Sequence, residues 1–150
     1  THPLNLPTLL AATLAFTAGH ALSLTAVALA GFDLRLAPIE ACIALSLMFM
    51  AWLSLRSEAK LPLALLLGFG LLHGLGLASG FSSTGLDDWE LVRAVALFNL
   101  GVEAAQVVWL LGVVLLIRWI PGQFAQHALA YSAGGLSAFW LIQRSFALGT

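Results

Sequence analysis

The chain has 150 residues, of which 61% are hydrophobic and 9% charged, with a formal net charge of -1 and a mean hydropathy of +0.99. Such a composition excludes an ordinary water-soluble domain and makes the lipid bilayer the expected solvent and first partner. It also excludes nucleic acid as a partner, because there is no run of Lys or Arg to neutralise phosphates.

Crossing ~30 Å of hydrocarbon takes ~20 apolar residues, and five runs qualify. They cover Leu6–Ala30, Pro38–Leu55, Pro62–Phe81, Leu91–Ile120 and Phe124–Phe146. The runs are continuous rather than alternating, which fits helices and not barrel strands. The expected fold is therefore all-α, a polytopic membrane bundle of about five transmembrane helices forming one domain over residues 1–150. The intervening segments "GFDLRLAP", "RSEAKLP", "SSTGLDDWE" and "RWIPGQ" combine Gly or Pro with charge, as helix breaks do. The first run has no basic region before it, so it reads as a span and not as a cleaved signal. Basic residues divide evenly between the two sides, and acidic ones lean to one, which favours the N-terminus inside and the C-terminus outside. Cys42, the single cysteine, has no second thiol to pair with and reads as a small packed hydrophobe.

In the first helix "FTAGHALSLT" spaces Thr17, His20 and Ser23 three apart, near one face. The third helix carries His73 among Gly70, Gly74 and Gly76, which lets a neighbouring backbone approach. In the fourth, "FNLGVEAAQ" places Asn99, Glu103 and Gln106 at i, i+4 and i+7, a polar stripe at membrane depth. A lone charged carboxylate in lipid costs several kcal/mol, so Glu103 is expected to face the bundle interior. Two imidazoles, a carboxylate and amide oxygens on three helices make a donor set for a divalent transition metal, with nickel, zinc, cobalt, copper or iron all suited. No thiolate cage of a structural zinc site is present. Simple hydrogen bonding between helices is the competing reading of the same side chains. His127 reads as a headgroup-level surface imidazole, and the acids of "DDWE" as charges for a helix N-terminus.

The segments "FTAGHALSLT", "IEACIALSLMFMAW", "FGLLHGLGLA" and "LFNLGVEAAQ" together resemble the ordered signature motifs of the HupE/UreJ family of bacterial membrane proteins, in its second branch. The resemblance implies a multi-pass protein of the bacterial inner membrane, accessory to hydrogenase or urease, and a permease for nickel or a related divalent metal. It implies metal roles for His20, Glu40, His73, Asn99, Glu103 and Gln106, which match the family's polar motif positions. Glu40, just after Pro38, also suits the first turn of the second helix as a dipole partner. A departure from the family is the lack of its earlier helix with a histidine-aspartate-histidine pattern, for which only His2 in "THPLNLP" stands, so the expectation is either a fragment or processed form that lacks an upstream helix or a member that has lost part of the metal path. Two further readings are an intramembrane hydrolase, with zinc on His20 and His73 and Glu103 as base, and a non-catalytic subunit or assembly factor. A homo-oligomer or a larger membrane complex is a further expected partner, and a transporter is favoured over an enzyme.

Overall fold

The computed structural model describes residues 6–32, 34–56, 62–82, 84–117, 119 and 122–148. It contains five helices, α1 (Leu6–Ala30), α2 (Leu36–Ser54), α3 (Leu63–Ser82), α4 (Asp88–Ile117) and α5 (Gly122–Ala147), and no strand among the described residues. The all-α expectation holds. Four of the helices, α1 to α4, are long and apolar enough to cross a membrane. The fifth, α5, carries Gln123, Gln126 and His127 at one end and Gln143 and Arg144 at the other, which shortens its apolar stretch. His2, Asp33 and the expected end of the fourth helix at Ile120 lie outside the described residues.

Boundaries follow local chemistry. α4 starts three residues earlier than its apolar run, because Asp87 caps it: Asp87 Oδ1 accepts from the Glu90 backbone N–H at 2.8 Å. Asp88 and Glu90 fill the first turn, where carboxylates meet the positive end of the helix dipole. At the end of α1, Gly31 adopts φ 65° and its N–H bonds the Val27 carbonyl at 3.1 Å, a left-handed cap that only glycine takes without strain.

The tightest packing in the fold is between α1 and α3. It depends on glycines from both helices. A Cβ at Gly70 would overlap the Phe16 carbonyl oxygen, one at Gly74 the His20 carbonyl, and one at Gly19 the Leu67 carbonyl. The two backbones therefore touch, and Ser23 Oγ donates directly to the Leu71 carbonyl of α3 at 2.7 Å. Gly76 faces the other way, onto Ile43 of α2. Beside the crossing a small core closes around Leu24, which is fully buried, with Val27, Ala28, Ala78 and Val95.

α2 in turn packs on α5, where Gly134 sits over Ala51 and Gln126 Nε2 donates to the Ser54 carbonyl. An ion pair between Arg144 Nε and Glu40 Oε2, 3.2 Å, joins the same two helices. Smaller contacts link α2 to α3 and α1 to α4. The helices thus stand in the spatial order α4, α1, α3, α2, α5. Cys42, expected to be packed, is exposed on α2 instead, because α2 turns Ala41, Ala44 and Ala51 toward its neighbours.

Gly70→Ala is expected to force α1 and α3 apart and destabilise the protein by about 2 kcal/mol, in the range of overpacked cores. Gly68→Ala, where a Cβ meets open space, is expected to be neutral or slightly stabilising through helix propensity. Thermal unfolding in detergent micelles, monitored by circular dichroism, compares the two.

Candidate metal site between the first, third and fourth helices

The α1–α3 crossing sets two imidazoles near one aromatic ring. Phe16, one helical turn before His20, stacks on the His20 ring with centroids 6.4 Å apart and meets His73 of α3 edge-on at 5.2 Å. On its other side His20 stacks on Phe98 of α4, again at 6.4 Å. His20 is 3% exposed, and neither of its ring nitrogens has a hydrogen-bond partner.

His73 differs. It is half-buried, and its Nδ1 lies 2.8 Å from the Phe69 carbonyl one turn earlier on α3. A carbonyl oxygen only accepts, so Nδ1 carries the proton and, in the neutral ring, Nε2 keeps its lone pair. That is the tautomer a metal-binding imidazole needs, with the backbone fixing the orientation of the ring.

α4 adds two amides. Asn99 Nδ2 donates to the Val95 carbonyl of its own helix at 3.0 Å, which leaves Asn99 Oδ1 buried and without a partner. Gln106, two turns further on, accepts at Oε1 from Thr17 Oγ1 of α1 at 2.9 Å. The face shared by Thr17, His20 and Ser23 is buried as its spacing predicts. Its side chains diverge, however: Thr17 reaches α4 and Ser23 reaches α3.

Two of the expected residues stand apart. Glu103 is exposed on α4 rather than turned inward. Only one side of α4 meets α1, and an i+4 step from Asn99 advances ~40° around the helix, enough to carry Glu103 off that side. Glu40 is held in the ion pair with Arg144 between α2 and α5. Among the described residues no three of His, Cys, Asp and Glu come together. The hydrolytic arrangement of His20 and His73 with Glu103 as base is therefore not assembled in the chain.

What remains are neutral candidate donors on three neighbouring helices: the imidazoles of His20 and His73, which share Phe16 as a ring neighbour, and the buried amide oxygen of Asn99, next in sequence to Phe98, which stacks on His20. The aromatic walls escaped the sequence reading, although Phe16 stands at i-4 from His20 and Phe98 directly before Asn99. Arg144 as the partner of Glu40 had no signal in the sequence, since it requires knowing that α2 packs on α5. An apolar cleft between α4 and α5, lined by Ala105, Val108, Trp109, Gly112, Val113 and Leu129, offers no donor to a cation. His127 is exposed, as expected, with Nδ1 2.7 Å from the Gln123 carbonyl.

Comparison with known proteins agrees with the motifs. Residues 4–147 match the family described as HupE / UreJ protein. No curated protein and no solved structure matches the chain. With the match running over nearly its whole length and with four helices able to span a bilayer, the chain is a multi-pass membrane protein that belongs to the HupE/UreJ family.

Proposed function

We propose that this protein carries nickel or a related divalent transition metal across the bacterial inner membrane, passing the ion between α1, α3 and α4. The family's association with nickel and cobalt uptake for hydrogenase and urease supports the reading. The observation that carries it is His20: an imidazole almost fully buried with both ring nitrogens unpartnered. Each buried polar group left unsatisfied costs about 1–3 kcal/mol. An ion entering with part of its hydration shell removes that cost, because the metal takes the lone pair and a retained water accepts the N–H.

The chemistry of the donors suits passage better than storage. Imidazole nitrogen and amide oxygen are neutral, so a divalent ion here gains ligands without gaining a fixed counter-charge beside the rings. His20 is almost fully buried between Phe16 and Phe98, so an ion that reaches it exchanges water for protein donors. His73, oriented by Phe69, presents Nε2 as the second nitrogen. The Thr17–Gln106 bond ties α4 to α1 next to these groups, and it must yield if the two helices part to admit or release the ion.

Uptake of nickel into proteoliposomes, read by elemental analysis, tests the proposal. His73→Ala and Asn99→Ala are each expected to lower the rate about tenfold or more, as loss of metal-site groups does, while Ser132→Ala on the exposed side of α5 leaves it unchanged. Equal rates for all of these proteins overturn the reading. His20→Phe gives an independent measure. Filling an aromatic slot with a ring that has nothing to hydrogen-bond is expected to stabilise the fold by about 1–2 kcal/mol while abolishing uptake, and a fall in the unfolding temperature would show that His20 already has partners within the folded chain.

A further inference from the structure

Glu103 presents a physical problem that the single chain leaves unsolved. It lies about 22 Å along α4 from Asp88, in a helix about 45 Å long, and so near the middle of the span Asp88–Leu115. Its side chain is exposed, so nothing among the described residues covers it from lipid. Among the described residues α4 has one cation, Arg93, about 15 Å away along the axis. A carboxyl at that depth costs several kcal/mol unless it is covered by a hydrogen-bonding group.

The residues around it supply the cover. Ala96, Leu100, Glu103, Val107, Leu110 and Val114 alternate steps of four and three, the seam by which one helix packs along another at a small crossing angle. The first four of these are exposed and the last two half-buried; Leu100 is 67% and Val107 54% exposed. Glu103 is the single polar member, at the centre of an otherwise apolar stripe, where one polar residue fixes register and partner. The stripe is complementary to itself. In two copies inserted in the same direction, α4 helices pairing along it run parallel and bring their carboxyls to the same depth on the shared axis. There a protonated carboxyl donates to the oxygen of its mate, and each solves the other's problem.

We infer that the protein pairs with a second copy of itself along this face of α4, each copy contributing Glu103 to a carboxyl pair at the middle of the membrane. Pairing on this face leaves the His20, His73 and Asn99 groups inside each copy, so it stands whether or not the protein transports metal.

Thiol cross-linking in native membrane vesicles decides the matter, with Cys42→Ser as background and a chelator present to keep metal out of the result. Val107→Cys, on the seam, is expected to give a cross-linked dimer with a short bifunctional thiol reagent. Val108→Cys, at the next position and 70% exposed, is expected to give about tenfold less, as it points away from the axis. Adding Glu103→Ala to Val107→Cys should lower the dimer yield about tenfold, the loss of an interhelical hydrogen bond in lipid, whereas Glu103→Gln, which still donates and accepts, should preserve it. Equal yields at 107 and 108, no dimer at either, a product whose mass shows a different protein, or a yield indifferent to Glu103→Ala would each overturn the inference.

Discussion

The backbone contact between α1 and α3 is the constraint on which the other features depend. In lipid, apolar side chains gain nothing by leaving the solvent, so helices associate where close approach adds dispersion and polar bonds. Gly19, Gly70 and Gly74 each lack the Cβ that would overlap the facing backbone and hold these two helices apart. With the gap closed, the Ser23 hydroxyl reaches a backbone carbonyl across the interface, and the Phe16 ring comes against both His20 and His73. A wider crossing would lose both.

The site inherits an asymmetry from that crossing. His73 is oriented from within its own helix, by the Phe69 carbonyl, so its Nε2 is in place without help from neighbouring helices. His20 has ring faces for company and no polar partner. One histidine is oriented and the other is unsatisfied, and in the proposed passage that difference would draw an ion on from the first to the second.

Much of this was legible in the sequence, and the limits have physical causes. Continuous apolar runs gave the helices to within a few residues, and the ordered motifs gave the family. The glycines around His73 signalled a close approach, yet they could not say to which helix. Gly70 and Gly74 meet α1, whereas Gly76 meets α2. The stripe Asn99, Glu103 and Gln106 was read as one face because i, i+4 and i+7 fall within a narrow arc. An arc has edges, however, and α4 presents to α1 and α3 only the side that carries Val95 and Phe98, so two of the three turn inward and Glu103 does not. Glu40 was hidden for a different reason: α2 starts at Leu36, which puts Glu40 beyond the first turn where the sequence suggested a dipole partner. Whether a carboxylate there meets a metal or a cation depends on which helix packs beside it, and helix order in space is not helix order in sequence.

That last disparity bears on how the molecule is made. α1 carries Thr17, His20 and Ser23, three buried polar side chains, and its principal neighbours, α3 and α4, follow it in the chain. During synthesis the partners of these side chains on α3 and α4 therefore reach the bilayer only after α1 and α2 have been laid down. α1 can settle only when α3 emerges with the glycines that fit it. Biogenesis thus has a delay built into its topology, because one whole helix is inserted between α1 and the glycines that fit it.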